Sequence, residues 1–120
     1  MDAAADELLR LAFDRAPAVE ANEAISRIRT QQGEEFSSAT SYELVLPAEN
    51  VRAHLLDNTL PRLVNYLESY GAKLPGCGGV FLSVFAGDTL HFVHAREVVG
   101  LLARWSGLSM DELRQRYGPK

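Results

Sequence analysis

The sequence predicts an α+β fold: a helix-rich single domain over residues 1–120 with a small antiparallel sheet. Three observations carry this expectation. Apolar residues recur at helical spacing before residue 33, between 49 and 70, and again after 94. Residues 42–46 and the two runs flanking Gly87-Asp88 have the short, β-rich character of strands. A chain of 120 residues is long enough to bury one real core and too short for two.

Taken in order, residues 3–16 read as a helix with Leu8, Leu9, Ala12, Phe13 and Ala16 as its apolar stripe. Pro17 ends that helix or opens the next, because proline suits a first turn and is costly inside a helix. Residues 18–32 continue as a second helix, with Ala21, Ala24, Ile25 and Ile28 inward. The stretch from Gly33 to Ser41 has Gly, Ser and Thr without a period and reads as a mobile loop. Tyr42 to Leu46 form a strand stopped by Pro47.

Between 49 and 70 the apolar residues keep a helical period that Pro61 interrupts, so two helices or one sharply kinked helix are expected. Thr59 is placed to cap the second, with Pro61 in its first turn and Gly71 as the stop. Residues 80–93 read as a hairpin turning at Gly87-Asp88, where glycine supplies the positive φ of a type II′ turn. Pairing outward sets Ala86 against Thr89, Val84 against His91, Leu82 against Val93 and Phe81 against His94. A helix from Ala95 to Ser106 ends at Gly107, and Ser109 with Glu112 forms a capping box for a last helix ending near Tyr117. The strand 42–46 and the hairpin make a three-stranded antiparallel sheet.

Composition removes several classes. With 47% apolar and 23% charged residues, the chain is neither disordered nor membrane-embedded. No apolar run approaches the roughly 18 residues of a spanning helix, and the acidic, amphipathic start does not resemble a secretory signal. A single cysteine forms no internal disulfide and fits a reducing cytoplasm. A net charge of −4 disfavours general nucleic-acid binding, which draws on neutralised phosphates. Ten arginines against two lysines accompany GC-rich coding, so a bacterial cytoplasm is the expected setting.

The chemistry-bearing residues concentrate in 76–94. Alternation along a strand puts His91 and His94 on opposite faces, so they share no metal, and no metal or cofactor is expected. Cys77, in a glycine-rich loop, is a nucleophile candidate if His91 or His94 lowers its pKa. A lone cysteine is more often a small buried hydrophobe. Gly76 to Gly79 lack the spacing of a phosphate cradle and lead into a strand.

Both faces of the hairpin are apolar, with Leu82, Val84 and Val93 on one and Phe81, Phe85, Leu90 and Phe92 on the other. A sheet open on one side would alternate with polar residues. Cover must come from the chain's helices or from a second copy, and the face with Phe81, Phe85, Leu90 and Phe92 is the expected homodimer interface.

Residues 98–117 contain "LLARWSGLSMDELRQRY", which resembles the helix-turn-helix of bacterial repressors. Ala103, Gly107, Leu108, Ser109 and Leu113 match its small, turn and inward positions. The resemblance implies a DNA-binding regulator whose second helix brings Met110, Arg114 and Gln115 to bases or phosphates. Asp111 and Glu112 place negative charge where phosphates come, and the bland alternative is a helical hairpin closing the core. The leading functional expectation is a non-enzymatic, homodimeric interaction or regulatory module with no membrane partner. A small-ligand binder or enzyme with a Cys77/His site is the first alternative, and DNA binding is the second.

Overall fold

The computed structural model describes residues 2–32 and 41–120. The fold is α+β, as expected, and it departs from the expectation in how the sheet is built. Asp2 caps the first helix, α1 (Ala3–Leu9), accepting the Ala4 N–H at 2.9 Å. That helix does not continue to residue 16. Residues Ala12–Pro17 form a strand, β1, antiparallel to the second strand of the hairpin. The apolar residues of 3–16 satisfy a helical stripe, yet a hairpin edge far along the chain claims the second half. A bulge between Ala12 and Asp14 lets Ala12 pack on one side of the sheet while Phe13 and Ala16 pack on the other. Pro17 therefore closes a strand rather than a helix.

A 3-10 turn at Ala18–Glu20 is pinned to the hairpin tip, where the Ala18 N–H donates to the Asp88 carbonyl at 2.9 Å. It leads into α2 (Ala21–Gln32), so a helical segment over 18–32 is present as expected. Ala24 and Ile28 are buried, with Ala21 and Ile25 beside them. The loop expected from Gly33 lies outside the described residues as far as Thr40, and Ser41 opens β2 (Ser41–Val45).

The next strands are β3 (Phe81–Ala86) and β4 (Thr89–His94). Among the described residues the sheet order is β1-β4-β3-β2. The sheet is mixed rather than antiparallel, because β2 runs parallel to β3, pairing Ser41 with Phe81 through Val45 with Phe85. The reason is the intervening chain: a helical crossover returns the backbone to the end where β2 began, which forces parallel pairing. The hairpin has the expected register, from Ala86 opposite Thr89 to Phe81 opposite His94. Gly87 has φ 63, and Asp88 is not in the positive-φ region, the type II′ arrangement.

The crossover is one continuous helical run: α3 (Val51–His54), a wide π turn at Leu55–Thr59, and α4 (Leu60–Ser69). The Leu60 N–H reaches back to the Leu55 carbonyl. Pro61 has no N–H to give and its ring crowds the preceding turn, and the wider turn accommodates both. Thr59 makes no cap; it has helical angles, φ −71 and ψ −48, and its side chain is buried. Gly71, at φ 75, ends the run as expected.

Helix α5 (Ala95–Ser106) follows β4 directly, and the Ala95 N–H donates to the Val80 carbonyl at 2.8 Å. Gly107 stops it, and α6 (Met110–Tyr117) opens on the expected capping box: Ser109 Oγ accepts the Glu112 N–H, and Glu112 Oε1 accepts the Ser109 N–H. Helices α1, α3–α4, α5 and α6 cover Leu82, Val84 and Val93 with Leu8, Leu63, Leu67, Leu101, Leu102 and Leu113. Helix α2 covers the opposite face, where Phe81, Leu90 and Phe92 have no exposed surface and Phe85 is half-buried. The residues expected at a homodimer interface are therefore core. Their cover comes from this chain's own α2, which burying three large side chains stabilises by several kcal/mol, at about 1.5–3 kcal/mol each.

Candidate functional site

Cys77, His91 and His94 do not form a site together. Cys77 is buried among the residues of the helical core, four positions before β3 begins at Phe81. Burial raises its thiol pKa; its own backbone N–H and Arg96 oppose that rise, and Glu68 adds to it. At neutral pH the group is a thiol, and no imidazole acts on it. His94 stacks on Phe13, ring centroids 4.4 Å apart, on the α2 side of the sheet. His91 pairs with Arg15 of β1 and lines a shallow cleft with Asp6, Arg10, Asp14 and Thr89. Burial first, and then the charge of Arg15, hold the His91 pKa below its ordinary value. Among the described residues no group of three or more His, Cys, Asp or Glu side chains is arranged to hold a metal ion.

The helix-turn-helix candidates are spent largely inside the fold. Helix α6 packs on α4. Arg114 pairs with Asp111 at 2.9 Å and reaches Glu68 at 3.5 Å. Glu68 is a buried carboxylate on α4 that also accepts the Leu74 N–H at 2.9 Å and faces Lys73 at 3.7 Å. The Arg114 charge thus ties α6 to α4, while Arg116 on the same helix is exposed. Met110 packs against the core, and Gln115 is exposed.

The arrangement that sequence reasoning missed lies on another face of α4. The chain has four tyrosines, and all four line one groove: Tyr42 from β2, Tyr66 on α4, Tyr70 at the C-cap of that helix, and Tyr117 from the end of α6. Pro61, Arg62, Asn65 and Ser69 complete it, giving a groove of about 720 Å³. The Tyr42 and Tyr66 rings meet edge to face at 5.3 Å, and Tyr66 and Tyr70 lie 4.7 Å apart. The Tyr66 hydroxyl donates to the Ser41 carbonyl at 2.9 Å, and Asn65 donates to the Tyr117 carbonyl at 3.2 Å. The groove walls are thereby fixed by bonds between elements, while Tyr70 leaves 68% of its surface exposed. Burial raises the pKa of Tyr42, against the nearby Arg62 charge, and burial followed by Tyr70 raises that of Tyr66. Both rings are neutral phenols over the physiological range. The i, i+4 spacing of Tyr66 and Tyr70 was legible in the sequence; the convergence of Tyr42 and Tyr117 on them needed the fold.

Tyr42 and Arg62 also belong to a second, smaller cleft that runs along β2 with His54, Asn58 and Thr59. It borders the outer edge of the sheet. The Leu46 N–H donates to the Phe85 carbonyl at 3.0 Å. Alternate residues of a strand turn their backbone groups to opposite sides, so Tyr42, Leu44 and Leu46 face β3 while Ser41, Glu43 and Val45 face outward. No strand pairs with that outer edge among the described residues. Val45 leaves 68% of its surface exposed.

The site combines rigid aromatic rings, the Arg62 guanidinium and a strand edge that no described strand pairs with, bordered by a cleft that Glu43, His54 and Thr59 also line. Compared with known proteins, the chain matches no family model, no curated protein sequence and no solved structure.

Proposed function

We propose that this protein is a non-enzymatic interaction module that docks a segment of another protein in the tyrosine-lined groove. The single observation that supports the reading is the gathering of all four tyrosines around Arg62 and Asn65 on one surface. Tyrosine and arginine dominate the energetics of protein interfaces, because they offer large, stiff contact area with a polar tip. Here the rings are already ordered by contacts with one another and by the Tyr66–Ser41 hydrogen bond, so little ordering entropy remains to be lost on docking. The partner is protein rather than duplex DNA, since Arg114 is held by Asp111 and Glu68 and the chain carries a net −4. A cytoplasmic, regulatory role fits the lone reduced cysteine and the absence of a spanning helix among the described residues.

Selection of random ten-residue peptides displayed on phage against the immobilised protein tests this. Enriched peptides are expected to lose binding to Tyr70→Ala and Arg62→Glu and to retain it with Val19→Ala, an exposed apolar residue outside the groove. Enrichment no better than on an unrelated protein, or binding indifferent to Tyr70 and Arg62, would contradict the reading.

A further inference from the structure

We propose that the docked segment adds to the sheet as an antiparallel strand on the outer edge of β2, and that it alternates acidic side chains with basic or aliphatic ones. The inference rests on the reading of the tyrosine groove as a docking surface and names the chemistry of its occupant.

The two edges of the sheet differ. The β1 edge carries a bulge at Ala12–Asp14 and ends on Pro17, which has no N–H to offer; both are devices that block strand addition. The β2 edge has neither. Its five residues pair with β3 without a register shift and include no proline and no lysine. The backbone N–H and C=O of Glu43 and of Val45 face outward, while the outward carbonyl of Ser41 is already taken by the Tyr66 hydroxyl. Strand addition is thus confined to Glu43 and Val45, and it ends beside the tyrosines.

Side chains of the added strand alternate between two surroundings. On the α4 side they meet Tyr42, His54, Asn58 and Arg62. Arg62 is exposed and has no ion pair among the described residues. On the opposite side they meet Glu43 and Val45, both exposed. Charge complementarity therefore calls for acidic residues on the first side and basic or aliphatic ones on the second. A second copy of this chain fits poorly. Antiparallel pairing of β2 with itself keeps the faces matched; centred on Leu44 it sets Glu43 opposite Val45 and brings both Arg62 side chains to one side. Like charge on the Arg62 face opposes self-association and favours a different protein, with acidic side chains on that face, as the occupant.

Two fluorescently labelled peptides of equal composition provide the test: the alternating Lys-Glu-Val-Glu-Lys-Glu-Val and the blocked Lys-Lys-Val-Val-Glu-Glu-Glu. The alternating peptide is expected to bind with a Kd tighter than about 1 mM and the blocked one at least about ten-fold more weakly. In an antiparallel pair, residues bonded to Glu43 and Val45 share their face, so N-methylation of the peptide's Lys and Val residues should abolish binding. N-methylation of its Glu residues should leave binding intact, because those N–H groups point away from β2. No binding of the alternating peptide at 1 mM overturns the proposal. Equal binding of both peptides and of both methylated sets overturns strand addition; if Tyr70→Ala still removes it, the groove remains a docking surface and only its occupant's geometry changes. Light scattering adds a third arm. A mass near the 13.2 kDa chain is expected. A doubled mass that Val45→Pro restores to the single-chain value would give the edge to a second copy and overturn the assignment to a different protein.

Discussion

The Tyr66 hydroxyl and the Ser41 carbonyl, 2.9 Å apart, join α4 to the outer edge of β2. This bond holds the tyrosine groove against the sheet edge, so that the two surfaces form one. It also satisfies the first outward carbonyl of β2, while the next outward backbone groups, on Glu43 and Val45, have no partner among the described residues.

Tyr66→Phe removes only that donor. We expect a loss of about 1 kcal/mol, the usual net worth of one hydrogen bond, measured by urea unfolding. Tyr70→Phe, at a ring that is 68% exposed, should stay within about 0.5 kcal/mol of wild type. Equal effects of the two would mean that the Tyr66 bond does not organise the groove.

The cover supplied by α2 can be tested through Ile28, which is 1% exposed against Ala16, Phe81, Leu90 and Phe92. Ile28→Ala should cost about 2–5 kcal/mol by cavity formation. Val19→Ala, on the neighbouring turn and 93% exposed, should cost next to nothing. A small effect at Ile28 would show that the sheet's second face is covered by something else.

Helix α2 and its sheet face illustrate how much was legible beforehand. The hairpin register followed from Gly87-Asp88 alone, because a two-residue turn fixes every pair beyond it. The capping box at Ser109 and Glu112 was equally local. Strand β1 was not legible: Ala12, Phe13 and Ala16 match a helical stripe, and only pairing with β4 some 75 residues later decides otherwise. The parallel pairing of β2 and β3 was implicit in a strand, a long helical stretch and a strand, but proximity in the sheet favoured the antiparallel reading. The candidate site fared worst. Its tyrosines come from β2, α4 and α6, and nothing local to any one of them signals that they meet.

Cys77 should behave as an inert thiol. Burial sets its pKa above the ordinary 9.0, so it stays protonated and shielded at neutral pH. Alkylation by iodoacetamide, followed by mass spectrometry at pH 7.5, is expected on the order of 100-fold slower or more in the native protein than in urea. The proton is bound more tightly in the folded state, so the associated stability is present below the ordinary value and lost as pH rises through the folded one. Rapid native alkylation would revive a nucleophilic role.

His91 gives the opposite sign. Its pKa is lowered by burial and then by Arg15, so the folded protein binds this proton less readily than the unfolded chain. Its contribution to stability is present above the ordinary value of 6.5 and is lost as pH falls through the folded value. Urea midpoints should therefore decline from pH 6.5 towards about 5, before carboxylates dominate, and His91→Gln should flatten that decline. An unchanged slope in the variant would remove His91 from the pH response.

Amide hydrogen exchange along β2 reads the central claim most directly. In the free protein, Leu44 and Leu46, whose N–H groups face β3, should be protected, while Glu43 and Val45 exchange fast. Saturation with the alternating peptide should slow exchange at Glu43 and Val45 specifically and leave the β1 edge unchanged. Fast exchange persisting at Glu43 and Val45 under saturating peptide, with protection appearing elsewhere, would contradict strand addition at this edge.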